Sequence, residues 1–135
     1  MSNSLRAGAA YFALIFALGF VLGTIRVLVL LPRVGETNAV LLEGPLILTA
    51  SWFTCSFLIT RYRVAPVFSK RLLMGASALI LLLLAEFVLG VYGFSRSVGE
   101  HFAHYATMPG ALGLAGQIVF GLFPIMQLLV GRRNG

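Results

Sequence analysis

Charge is what this chain has least of. Only 10% of its 135 residues are charged, and aspartate is absent altogether. A soluble domain carries about 25% charge. A water-soluble globular enzyme is excluded on that ground. A disordered chain is excluded by a hydrophobic fraction of 59% and a mean hydropathy of +0.98. The net charge of +6 is not a nucleic-acid signal, because too little polar surface accompanies it. Cysteine is nearly absent too. Cys55 stands alone, which excludes an intrachain disulfide and a cysteine-rich metal site. The chain has no HExxH, no GxSxG, no P-loop and no dinucleotide fingerprint. Nothing therefore points to zincin, serine-hydrolase or ATP-driven chemistry. Both histidines, His101 and His104, lie outside the long apolar runs, so a haem has no axial ligand within them. No cofactor is implied.

What the chain does have is long apolar runs. A bilayer core of about 30 Å takes about 20 apolar residues per helix, so this length holds four spans and no soluble domain. They run over about 9–31, 39–60, 72–94 and 110–130. The first is too long for a signal-peptide core and reads as a retained helix. The runs do not alternate as barrel strands do, and helices satisfy their own backbone in lipid. The expected fold is an all-α integral membrane protein. It is one domain over 1–135, a four-transmembrane-helix bundle with a short amphipathic interfacial helix in an outer loop.

Local signals refine this picture. Pro32 is expected to stop the first span. Gly44-Pro45 either kinks the second span or marks its true start, with a separate turn over 37–43. Ser97-Val98-Gly99-Glu100 has the capping-box pattern and starts a short helix over about 97–106. Val98, Phe102 and Tyr105 share one of its faces, and Glu100, His101 and His104 the other, as in a helix lying on a membrane surface. Pro109 suits the first turn of the fourth span. Tyr11, Tyr62, Tyr92 and Tyr105 fall near the proposed interfaces, and Trp52 lies mid-span as a packing residue.

Basic residues give an orientation. Arg6, Arg61, Arg63, Lys70, Arg71, Arg132 and Arg133 fall on one side of four spans, against Arg33 and Arg96 on the other. The positive-inside rule then puts both termini in the cytoplasm of a plasma (inner) membrane. The same side chains suit anionic lipid headgroups.

Topology does not explain every charge. Arg26, Glu43 and Glu86 lie within spans, joined by Gln117 in the fourth. At 1.5 Å per residue they sit about 6–12 Å from the outer ends. Each span thus contributes one strongly polar side chain to the outer half. Such residues face the bundle interior and mark functional sites by default. Gly19 and Gly23, Gly90 and Gly93, and Gly113 and Gly121 flank them, as in a packed seam or a narrow cavity. One arginine against two carboxylates leaves a surplus negative charge. Glu86, the deepest, is the one expected to carry a proton, unless another cation is present.

A second candidate group is the outer surface: Glu100, His101 and His104 on the short helix, with Arg33, Glu36 and Asn38 in the facing loop. Glu100 and His101 are adjacent and point 100° apart on a helix, which is poor for chelation, so no metal site is assigned. Solvated polarity is the plain reading, and pH sensing by histidine the sharper one. Three functions are carried forward. The first is an oligomeric carrier, channel or binder of a small solute or ion, using the polar layer. The second is an accessory or assembly subunit in which that layer locks the helices. The third is a lipid-modifying enzyme. The expected partners are the lipid bilayer and further copies of the chain or subunits of a membrane complex, with no nucleic acid.

Overall fold

The computed structural model describes residues 3–93 and 97–134. These residues form helices α1 (Asn3–Ile25), α2 (Leu31–Val34), α3 (Glu36–Tyr62), α4 (Phe68–Val88), α5 (Val98–His104) and α6 (Met108–Asn134). A π-helical turn over Arg26–Leu30 joins α1 to α2, and another over Leu89–Gly93 extends α4. Among the described residues there is no strand. Four helices are long and apolar enough to cross a membrane. The four pack side by side: α1 lies against α3 and α4, and α6 lies against the same two.

Several expected boundaries move. Pro32 does not end the first long helix. The chain passes through the π turn and continues helically to Val34. A local π adjustment is one way a helix absorbs the missing proline N–H. The break comes instead at Gly35, whose φ of 83° is open to glycine and strained for other residues. Pro45 does not start α3, which runs unbroken through it. The third long helix starts at Phe68 and so takes in Arg71, which had been counted as a loop charge. Ser97 caps α5 as expected, its Oγ accepting from the Glu100 backbone N–H at 3.0 Å. Phe94 and Arg96 lie outside the described residues.

The four helices pack tightly at one end and loosely at the other. The buried core residues Ala7, Tyr11, Ile15, Cys55, Leu58, Met74, Ala78 and Phe123 lie in the half that holds the two termini, with Leu82 and Phe120 at its boundary with the other half. Glycines make this half possible. A Cβ on Gly75 would stand 1.9 Å from the Gly121 carbonyl oxygen, and one on Gly8 would stand 2.1 Å from Ser77 Oγ. The close seam is thus built on Gly8, Gly75 and Gly121. A Cβ on Gly113 or Gly116 would meet nothing within 4 Å from the neighbouring helices, so of the two expectations for the glycine-flanked layer, the cavity describes this stretch.

Tyr11 departs from its expected interfacial position. It is fully buried, its ring stacks on Phe120 at 4.1 Å, and its hydroxyl donates to the Phe120 carbonyl at 2.8 Å. The cause is Pro124. Its missing N–H leaves the carbonyl four residues earlier without a helical donor, and that carbonyl is Phe120's. Arg71 is buried nearby and donates from Nη1 to the Pro124 carbonyl at 3.2 Å and from Nε to the Ala65 carbonyl at 3.3 Å. Hydroxyls on the long helices mostly bond within their own helix: Thr24 to Phe20, Thr49 to Pro45, Ser51 to Ile47 and Thr60 to Ser56.

The seam gives a direct prediction. Gly75→Ala pushes a methyl into a backbone carbonyl, and overpacking of this kind costs about 1–3 kcal/mol. Gly116→Ala adds the same methyl to open space and gains helix propensity. Thermal unfolding of the detergent-solubilised protein should fall for the first and hold or rise for the second. Equal effects would contradict the assignment of the seam.

Candidate functional site

The other half, toward α5, is where the helices spread apart. No residue of α1 beyond Ile15 is buried there. Between the helices lies a cleft of about 1060 Å³ lined by all four of them. Its walls are apolar, with Phe16, Phe20, Leu48, Leu82 and Phe120 among them, and Ser51 lies at its inner end. Arg26, Glu43, Glu86 and Gln117 all border it. The four residues that topology left unexplained therefore meet around one space.

They do not form a single network. Arg26 Nη1 donates to Glu43 Oε2 at 2.8 Å, joining the π turn after α1 to the first turns of α3. Gln117 Nε2 donates to Glu86 Oε1, joining α6 to α4. The layer is thus two pairs. The first is charge-neutral. The second holds a carboxylate whose bonded partner is a neutral amide. The oxygen of that amide, Gln117 Oε1, is buried with no hydrogen-bond partner among the described residues. Both π turns flank the layer, one carrying Arg26 and the other starting three residues after Glu86. Such turns recur at functional sites, where they re-aim side chains.

The outer-surface candidates divide differently. His101 was grouped with the solvated face, yet it is 6% exposed. Its ring meets Phe87 edge-on at 5.4 Å and lies over Gly90, where a Cβ would stand 2.8 Å from Nδ1. The exposed residues of α5 include Val98 and Phe102, as well as Glu100. The apolar and polar faces are thus partly exchanged. The reason is the π turn, whose glycine leaves room for an imidazole. Tyr105 Oη and His101 Nε2 lie 3.4 Å apart. Burial, and then the charge of Glu86, raise the Tyr105 phenol above its ordinary range, so α5 sits within electrostatic reach of the layer.

The residues expected in the facing outer loop are helical instead, Arg33 in α2 and Glu36 and Asn38 in the first turn of α3, because the break falls at Gly35 alone, and α3 meets α5 through a His104–Glu36 pair. His104 Nε2 lies 3.9 Å from Glu36 Oε1. Asn38 bonds back to the Val34 carbonyl at 2.9 Å, and Arg33 is exposed. Among the described residues no group of three or more His, Cys, Asp or Glu is placed to hold a metal ion. Residues that sequence reasoning missed are Arg71 and Tyr11, and Gln127, whose Nε2 donates to the Trp52 carbonyl at 2.8 Å. Pro124 was the available signal, since a proline inside a span demands a donor for the carbonyl one turn back. Comparison with family models, curated proteins and solved structures gives no match.

Two predictions follow from this geometry. The Arg26 and Glu43 side chains are 33% and 13% exposed, between a surface pair and a buried one. Arg26→Ala alone should cost about 1–3 kcal/mol, between the surface and buried ranges. Arg26→Ala with Glu43→Ala should recover part of that in thermal unfolding, because the stranded carboxylate is gone. A double variant less stable than either single one would contradict the pairing. For Tyr105, the fold favours the neutral phenol. That contribution is complete below the ordinary phenol value, about pH 10, and is lost as pH rises from there through the raised folded value. Tyr105→Phe should remove a late step from the alkaline tyrosinate absorbance titration. An unchanged high-pH limb would contradict the raised value.

Proposed function

We propose that this chain is a small integral membrane protein whose spread half binds a small molecule between four transmembrane helices. The observation that carries the reading is the cleft. Small-molecule sites occupy about 300–1,000 Å³, are mostly apolar and carry a few convergent polar groups. The space here is of that size and has that lining, and its polar groups come from four different helices. A purely structural lock needs no such space.

The outward faces support a membrane setting. Between 17% and 28% of each apolar window is buried in the chain itself, and Phe20, Leu28, Phe53, Phe57, Ile80 and Leu84 are exposed. Lipid, further copies of the chain or another membrane subunit would cover them. The helices would form a transmembrane bundle, with α5 at the membrane surface. The distribution of basic residues supports both termini in the cytoplasm of a plasma (inner) membrane, which puts the cleft in the outer half. Transport of the bound molecule would require it to pass the packed half, so binding is the primary activity and carriage a second step.

The accessory-subunit reading keeps one specific support, the Arg26–Glu43 pair. It joins two helices in a way a lock would. Within the present reading that pair fixes the mouth of the cleft and leaves Glu86 and Gln117 for the ligand. A lipid-modifying enzyme has no comparable support.

Filling the cleft tests this. Gly113 lines it and a Cβ there meets nothing within 4 Å, so Gly113→Phe should be accommodated. Native mass spectrometry of the gently extracted wild type should report a retained small molecule or lipid, and the variant should lose it while keeping its thermal stability. The same spectra count subunits. Identical adducts on both proteins, or none on the wild type, would contradict the reading.

A further inference from the structure

We infer that the cleft takes a cationic amphiphile, a molecule with an apolar body and a protonated amine at one end, held by Glu86. The inference rests on the binding reading above and gives the ligand its chemistry.

The argument is one of charge. The cleft border carries one guanidinium and two carboxylates. Arg26 is already engaged with Glu43, and that pair is neutral in sum. Among the described residues Glu86 is bonded to an amide N–H alone, and the oxygen of the same amide is buried with no hydrogen-bond partner. Two electron-rich groups therefore lie together at one side of an apolar space, and among the described residues no cation is hydrogen-bonded to either, Arg26 acting on Glu86 only through space. A carboxylate in an apolar surrounding is costly unless it is paired. A ligand cation supplies the missing charge and brings the border to neutrality.

The remaining walls set the other half of the molecule. Apart from the four layer residues, the lining offers few polar groups, chiefly Thr24 and Ser51. Their hydroxyls are already donated to the carbonyls of Phe20 and Ile47. What is left is aliphatic and aromatic surface reaching from Arg26 and Glu43 to Ile15 and Phe120. An alkyl or polycyclic body fits it, and a second polar end does not. An anionic amphiphile would have to meet Arg26 against the field of two glutamates, one of which already occupies it.

The test uses the full chain in nanodiscs of zwitterionic lipid. Diazirine-bearing decylamine, decanol and decanoic acid of matched length are photolysed with the protein, and labelled residues are mapped by mass spectrometry. The amine should label cleft residues with half-saturation about tenfold below that of the alcohol and the acid, a difference of about 1.4 kcal/mol. Glu86→Gln, checked for a wild-type unfolding temperature, should erase the preference. Decyltrimethylammonium should compete with the amine on the wild-type protein, and decanol should not, which needs no variant. Equal labelling by amine and alcohol would mean that Glu86 carries a proton instead, and would overturn the cationic assignment while leaving the cleft a binding site. So would a preference that survives Glu86→Gln. Failure of all three probes to label the cleft would overturn the binding reading itself.

Discussion

A charged side chain facing hydrocarbon costs roughly 2.5–3.5 kcal/mol even on the mildest scale, and this constraint organises the structure. Of the four glutamates, Glu43 and Glu86 lie in long apolar helices, and so does Arg26's neighbourhood. Each is turned inward, and each finds a partner on another helix: Arg26 with Glu43, Glu86 with Gln117. Arg71 obeys the same rule by a different route, spending its donors on the carbonyls of Ala65 and Pro124. Where the polar groups are serine or threonine hydroxyls, the helix that carries them mostly satisfies them.

The constraint explains why the two halves of the molecule differ. In the half with the termini, small residues let backbones touch, and Tyr11 supplies the single hydrogen bond that Pro124 makes necessary. The long polar side chains there, Arg71 and Gln127, end on backbone carbonyls of neighbouring helices within the packed seam. In the half toward α5, four long polar side chains must be accommodated between the same helices, and packing gives way to a cleft. The π turns at Arg26–Leu30 and Leu89–Gly93 fall in this half. There the helices bend their register to bring Arg26 to Glu43 and to seat His101 over Gly90. Close packing and open space are thus divided along the length of the helices.

Much of this was legible in the sequence. Hydropathy alone gave four long helices, and the Ser97–Glu100 pattern gave the start of α5. The polar layer was visible because charge is so scarce that each unexplained residue stands out. Its division into two pairs was not visible, because one arginine and two glutamates at similar depth allow either partner. The burial of His101 was hidden by the π turn, which shifts the helical period and which no local residue preference announces. Arg71 read as a loop charge because charge counting treats an arginine near a helix end as solvated. The contacts that bury it come from Pro124, 53 residues away. The glycines were legible as a class but not in their roles. Gly75 touches backbone, whereas Gly113 borders open space.

The central claim is that the layer consists of two separate hydrogen-bonded pairs, one an ion pair and one in which an amide holds Glu86. With four glutamates and no aspartate in the chain, selective carbon-13 labelling of the glutamate side-chain carboxyls gives a spectrum of four resonances, assignable by single Glu→Gln variants. Replacing Gln117 with leucine removes the partner of Glu86 and leaves Arg26 and Glu43 in contact. The account predicts that the Glu86 resonance moves and the Glu43 resonance stays. Equal displacement of both would mean that the four residues form one network, and would contradict it.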